Sequence, residues 1–362
     1  MKVGIVTFQE TNNYGANLQN YALQQAVKQL GGTPETIDYR SRYIGRPYGF
    51  AHLKNKGLGN YLFGVVGYLV YALRTGKTKT FRRAIDYSPK VKREGLEALN
   101  ERYDRFLTGS DQVFNHKLTG MDGTYMLDFV KDKSKCHSYA ASLGLSELEP
   151  DVQEQYRAWL SEFASLTVRE QTAAEVLSAT LDREVTVVSD PCFLLEREDW
   201  EKAVVPPKPK KPYVFVYELA WSKDVVAVAQ RIAKEKGLKV VFAPFPMGKA
   251  ACGSWRLGAG PGEILGLIRD AEYVVTDSFH GTLFSILFNK AFYTRIAEMK
   301  IGSRISDLLK KCGLEDRLLD PAMTDFSADI DYAAVNAIID EYRRASREVL
   351  RTMITEEGDS QQ

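Results

Sequence analysis

The sequence predicts an α/β protein of two successive domains, each built on a parallel sheet. Three observations carry that reading. Short apolar runs of strand length alternate with amphipathic helical patterns through both halves of the chain. Polar clusters follow the strands directly, as ligand-facing loops do at the carboxyl edge of an open sheet. The rhythm also stops at Glu201–Pro212, which holds four prolines and four lysines in twelve residues, and restarts beyond it. Proline stiffens linkers and is excluded from sheet interiors, so the domain boundary is placed at 201–212. A length of 362 residues accommodates two domains of about 150–200 residues each.

The composition, 44% apolar and 26% charged, is that of a globular protein. A net charge of +1 gives no basis for nucleic-acid binding. Cys136, Cys192, Cys252 and Cys312 are dispersed, with no CxxC pair. They are read as buried thiols in a reducing compartment, and no metal site is expected. The opening MKVGIVTF reads as the first strand and not as a signal peptide, which points to the cytoplasm.

In the first domain, 1–200, the strand Val3–Phe8 leads through a polar loop into a helix from Tyr14 to about Leu30. Asn12, Asn13 and Gly15 there suit either the first loop of a ligand site or ordinary turn chemistry. A second strand, Pro34–Tyr39, follows, and then an insertion at about 41–90 departs from the rhythm. Gly57–Leu73 in it carries no charge and is flanked by basic residues. It reads as a helical hairpin or lid, or as a segment lying on a membrane surface. Its length and glycines argue against a span. A charged helix is expected over Lys92–Arg105 and a strand over Phe106–Thr108, which opens into Gly109, Ser110, Asp111 and Asn115. Leu127–Val130 reads as extended, His137–Ala141 as a strand and Val152–Phe163 as a helix. The strand Ser165–Val168 ends at Arg169, whose guanidinium can clamp a carboxylate or phosphate bidentately, or form a structural salt bridge with Glu170 or Asp190. Val185–Val188 ends at Asp190, read equally as a turn cap or a substrate ligand.

The second domain, 213–330, repeats the pattern: strand Tyr213–Leu219, helix Val225–Lys236, strand Lys239–Ala243, a loop Pro244–Gly262 carrying Arg256, and helix Glu263–Arg269. The strand Tyr273–Thr276 then runs into Asp277, Ser278, Phe279, His280 and Gly281, ahead of a helix over Thr282–Phe288. His280 is the only histidine of the second half, and it stands where a helix start aims its positive dipole end at an anion. Arg295 follows, then a helical stretch to Cys312. A long amphipathic helix at 331–355 is expected to brace the two domains, before a frayed polar tail at 356–362.

The order and content of these pieces resemble the polysaccharide pyruvyl transferase family. The matching segments are NNYGANLQNYALQQ at 12–25, GSDQVFN at 109–115, YAASLG at 139–144, TVRE at 167–170, SDP at 189–191 and TDSFHGTLFSILFNKAF at 276–292. The resemblance implies a fold similar to GT-B glycosyltransferases, with two Rossmann-like domains facing across a cleft. It also implies transfer of a carboxyethylidene group from phosphoenolpyruvate to two hydroxyls of a sugar, in a polysaccharide or its lipid-linked precursor, with release of phosphate. Phosphoenolpyruvate is then a donor substrate, and no metal or nicotinamide cofactor is implied. His280 is the expected general acid, Arg169 the anion clamp and Asp111 the base, with Asp190 and Asp277 as competitors. Ser110, Asn115, Asn12, Gly15, Ser278 and Gly281 are expected to line the site. Some branches of the family carry arginine two positions before the histidine, where this chain has Ser278. Either the charge comes from Arg256, from Arg295 or from helix N–H groups, or the donor differs. A lipid-linked acceptor would give the 57–73 segment a peripheral contact at the inner membrane face. A nucleotide-sugar glycosyltransferase and a non-catalytic glycan-binding relative are the alternative readings.

Overall fold

The computed structural model describes residues 1–44, 58–207, 212–219, 222–244, 254–296, 303–327 and 329–355. The chain divides into two compact units: Met1–Arg46 with Arg82–Leu195 and Ile339–Gln362, and Pro47–Phe81 with Glu196–Ile338. The expected class, α/β with two Rossmann-like halves, holds. The boundary falls just ahead of the 201–212 run, because residues 203–207 pack on a helix of the second unit. There Val205 donates to the Gly262 carbonyl at 2.9 Å, and a side chain at Gly266 would meet the Val205 carbonyl at 2.2 Å. Cys252, Gly57 and the 356–362 tail lie outside the described residues.

In chain order the elements are β1 (Lys2–Val6), α1 (Tyr14–Gln29), β2 (Thr33–Thr36), α2 (Leu58–Phe81), β3 (Arg105–Thr108), α3 (His116–Thr119), β4 (Cys136–Ser138), α4 (Pro150–Leu160), β5 (Thr167–Val168), α5 (Gln171–Leu181), β6 (Thr186–Val187), α6 (Arg197–Glu201), β7 (Tyr213–Glu218), α7 (Lys223–Lys236), β8 (Lys239–Pro244), β9 (Ser254–Trp255), α8 (Pro261–Arg269), β10 (Tyr273–Thr276), α9 (Phe279–Leu287), β11 (Ala291–Thr294), α10 (Ser303–Cys312) and α11 (Tyr332–Ile354).

The first unit's parallel sheet runs β2-β1-β3-β4, and single bridges at His137–Ser165 and Ala141–Val168 extend it to the β5-β6 pair. In this order the chain winds one way to β2 and the other way from β3. The topological switch point therefore lies between β1 and β3, where loops part and ligands enter such sheets. One apolar cluster packs Val6, Phe106, Val113 and Val168 with Leu160 of α4 and Leu177 of α5. Another joins Val3, Ile5 and Leu107 to Leu23 and Val27 of α1 and to Leu350 and Met353 of α11. The later part of α11 thus belongs to the first unit's core, and its Arg343 and Arg347 donate to the Phe193 and Leu194 carbonyls at 2.7 and 2.9 Å.

The second unit's sheet runs β9-β8-β7-β10-β11, all parallel. By order of appearance this is 3-2-1-4-5, five of the six strands of the Rossmann order 3-2-1-4-5-6, with its switch point between β7 and β10. β7 reads YVFVYE and is buried throughout, as befits a central strand covered on both faces. Ser222 caps α7 and Gly237 ends it in the left-handed conformation at φ 66°. α2, expected as an insertion of the first domain, groups with the second unit, where Lys77 pairs with Glu263 of α8 at 2.7 Å. It forms one helix rather than a hairpin. Among the described residues no helix is long and apolar enough to cross a membrane. Leu69, Tyr71 and Leu73 of α2 are exposed.

Three local expectations are corrected. Leu127–Val130 is not a strand: Asp122 accepts the Thr124 N–H and starts a 3₁₀ turn, and Leu127 sits at φ 51°. Its residues are apolar because they enter the core, not because they pair in a sheet. The helix expected over 92–105 is a 3₁₀ run, Arg93–Glu101, in which Leu96 alone is buried, too little packing to hold a long α-helix. The helix expected from Thr282 starts a turn earlier, because Ser278 caps it.

Candidate active site

In the second unit, sheet register fixes the site. Thr276 of β10 pairs with Tyr217 of β7 and with Thr294 of β11. The next residue of each strand therefore stands in one row at the carboxyl edge: Glu218, Asp277, Arg295. Arg295 donates its N–H to the Thr276 carbonyl at 2.8 Å, and Asp277 Oδ1 accepts the Leu219 N–H at 2.6 Å. Glu218 Oε1 accepts the Ser222 N–H, so the two carboxyls hold the two ends of the corner that leads into α7.

Ser278, Phe279, His280 and Gly281 follow Asp277 and open α9. Ser278 is the N-cap: its Oγ accepts the Gly281 N–H at 3.3 Å, and its own N–H donates to Thr276 Oγ1 at 3.0 Å. The serine that stands in place of an arginine thus has a structural reason of its own. Gly281 lets α9 press on the sheet, since a Cβ there would lie 2.4 Å from Thr276 Oγ1 and 3.0 Å from Tyr217 Cδ1. Gly281→Ala is expected to displace the helix start and destabilise the unit by about 1–3 kcal/mol, as other overpacked sites do, read as a lower thermal midpoint. His280, half-buried, stands on the first turn of α9 with its ring edge-to-face against Phe279 at 5.2 Å. The helix therefore directs its positive end at whatever lies beside the imidazole.

Arg295 is partly exposed and makes a 3.9 Å pairing with Asp224, long enough to leave its charge available. Arg256 follows β9 at the sheet edge, with β8 between it and β7, and does not join this row. Glu218 was not singled out by the sequence. It is 2% exposed, and its Oε2 has no hydrogen-bond partner among the described residues. Burial pushes its carboxyl up to about 7; the Ser222 N–H opposes this, Asp277 adds to it and Arg295 opposes it. Only the register of β7 against β10 reveals this residue, since a carboxylate after a strand is common in any sequence.

In the first unit, Arg169, Asp190, Asp111 and Glu170 form a buried charge cluster. Arg169 Nη1 donates to Asp190 Oδ2 at 2.6 Å, with Glu170 at 3.9 Å and Asp111 at 4.0 Å. Burial would lower the guanidinium's pKa, but Asp190, Glu170 and Asp111 outweigh it and raise the value. The geometry is thus the salt-bridge alternative for Arg169: its side chain is 2% exposed and its charge is already matched. Asp190 also caps the 3₁₀ turn at Pro191–Leu194 by accepting the Cys192 N–H at 2.9 Å.

Ser110 and Asn115 are spent on the fold. Ser110 Oγ donates to the Ala140 carbonyl at 2.9 Å, and Asn115 Oδ1 accepts the Lys117 N–H at 3.1 Å to cap α3. Asp111 is held at φ 79°, and its Oδ1 accepts the Gln112 N–H at 2.9 Å. Asn13 caps α1, Gly15 is buried in its first turn, and Asn12 is half-buried just before it. The residue that joins the two switch-point loops is Gln19, unremarked in the sequence. It donates to Thr7 Oγ1 at 3.0 Å and accepts the Ser110 N–H at 3.1 Å.

Several solved structures are similar at low identity. The UDP-GlcNAc 2-epimerase of Methanocaldococcus jannaschii is 13% identical over 98% of this chain and 99% of its own, with a TM-score of 0.48. The Neisseria meningitidis UDP-GlcNAc 2-epimerase is 10% identical over 99% and 95%, with 0.44. A glycosyltransferase from Rickettsia africae is 10% identical over 98% and 98%, with 0.47. The fold rests on the strand orders themselves. No curated protein matches the chain. Residues 13–294, however, match the polysaccharide pyruvyl transferase family model, a span that takes in the Asn13 cap, GSDQVFN, the Arg169 cluster and the His280 edge. The chain belongs to the polysaccharide pyruvyl transferase family.

Proposed function

We propose that this transferase moves the carboxyethylidene group of phosphoenolpyruvate onto two hydroxyls of one sugar, in a cell-envelope polysaccharide or its lipid-linked precursor. The observation that supports this most is the edge of the second unit's sheet. It sets an imidazole, a helix N-terminus and an available arginine around a switch point, which is what a small, doubly anionic donor requires.

In this reading Arg295 and the first turn of α9 hold the donor's anionic groups, in place of the buried Arg169. His280 gives a proton to the methylene carbon, which becomes the methyl group, while the first sugar oxygen bonds to the central carbon. Phosphate then leaves with the electron pair of its bond to that carbon, and the second sugar oxygen takes its place. Of the two hydroxyl protons released, one restores the acid and the other departs with phosphate. Asp277 is the proposed base, because it shares a strand edge with His280. Asp190 and Asp111 are both ranged around Arg169. The exposed Leu69, Tyr71 and Leu73 suit an acceptor carried on a lipid.

Calorimetry of the wild-type protein with phosphoenolpyruvate, without added metal, tests the donor. Saturable binding is expected, followed by acceptor-dependent phosphate release with lipid-linked sugars. Binding of a nucleotide sugar with indifference to phosphoenolpyruvate would overturn the reading.

A further inference from the structure

We propose that Glu218 is a positioning residue for the anionic donor: as the neutral acid it fixes the corner beside Asp277 and leaves the charge of the strand-edge row balanced, and on ionising it drives the donor out. The inference rests on the donor reading above and deepens it.

The row is set by register, not by loop conformation. Glu218 continues β7 where Asp277 continues β10, on neighbouring parallel strands with the same residue pairing one step earlier. Strands lie about 4.8 Å apart, so the two carboxyls are close neighbours on one edge. Among the described residues, the charged groups facing Glu218 are Asp277 from the β10 side and Arg295 from the β11 side, with Asp224 of α7 behind Arg295. β8 contributes only Pro244 opposite Glu218.

With Glu218 neutral, the row holds one carboxylate, Asp277, and one guanidinium, Arg295. With it ionised, the row carries a net negative charge beside the helix end that would receive the anion. A carboxylate 2% exposed is poorly shielded by water or salt, so its repulsion reaches the donor. Its Oε1 already accepts the Ser222 N–H, and its Oε2 has no acceptor or donor opposite it among the described residues, a setting in which a carboxyl keeps its proton. A glutamate needed only to hold Ser222 could be glutamine with no other consequence. Glutamate at a switch point adds a proton to the equation.

The test is calorimetric titration of phosphoenolpyruvate from pH 6 to 8, on wild type, Glu218→Gln and Asp277→Asn. Ionisation of the donor is common to all three proteins and cancels in the comparison. Wild-type affinity is expected to fall about tenfold more across this window than that of Glu218→Gln. In turnover assays the loss is expected in KM and not in kcat. Asp277→Asn removes the neighbouring charge and is expected to move the wild-type step to lower pH, a shift no merely structural glutamate would show. Equal pH dependence in wild type and Glu218→Gln, with both binding the donor, would overturn the role of Glu218 and leave the donor reading standing. Absence of binding by wild type at every pH would overturn the donor reading, and this inference with it.

Discussion

Replacing His280 with alanine is expected to lower kcat for pyruvyl transfer by about 10²–10⁴-fold, the usual contribution of a positioned acid or base. Phosphoenolpyruvate affinity is expected to stay within about threefold of wild type, because the anion contacts assigned to Arg295 and the first turn of α9 remain. The loss belongs to the transition state: carbon is a poor proton acceptor, and a positioned acid matters most where the proton reaches the methylene carbon. The half-buried ring stands against Phe279 on a helix start held by the Ser278 cap, and the substitution leaves that cap in place. Steady-state kinetics together with calorimetry separate the two quantities. If affinity fell and turnover did not, the imidazole would be a donor contact and the acid would have to be sought elsewhere on the same edge.

Arg169→Ala is expected to destabilise the protein by about 3–5 kcal/mol, the cost of breaking one side of a buried ion pair. Asp190, Glu170 and Asp111 would be left together around the position the guanidinium now fills. For a unit of this size that corresponds to a drop in thermal midpoint on the order of 10 °C. Pairing Arg169→Met with Asp190→Asn is expected to cost less than Arg169→Ala alone, because Asp190, the carboxylate in direct contact with the guanidinium, is then no longer left as an orphaned charge. Thermal unfolding of the single and double variants measures this directly. A single variant that melted like wild type but lost phosphoenolpyruvate binding would restore Arg169 as an anion clamp.

The contrast between these residues shows what the sequence made legible. The strand Tyr273–Thr276 is a short apolar run, and the polar cluster after it is local, so the position of His280 could be read directly. Ser278, three residues before a glycine N–H, is likewise a local capping pattern. Arg169 could be read as a clamp or as a salt-bridge partner of Glu170 or Asp190, because nothing local to it in sequence decides between them. Its partner Asp190 lies 21 residues on and meets it only because β5 pairs with β6. Glu218 was illegible for the same reason: its neighbour Asp277 is contributed by a strand 55 to 60 residues further along, placed by sheet order. Leu127–Val130 misled because burial and strand pairing leave the same apolar mark on short stretches. Register and long-range pairing carry the chemistry here, and one sequence shows the members of such pairs without saying which belong together.

The grouping of Ile339–Gln362 with the first unit has a consequence for biosynthesis. Val3, Ile5 and Leu107, made before the second unit, are covered in part by Leu350 and Met353, made after it. The nascent amino-terminal half therefore emerges with one face of its sheet incompletely covered while the entire second unit is translated. During that interval its apolar face is a substrate for chaperones, and a chain released short of Ile339 never closes it. Closure of the first unit thus waits on a segment made after the second, and vectorial synthesis alone cannot fold the two in the order in which they are made.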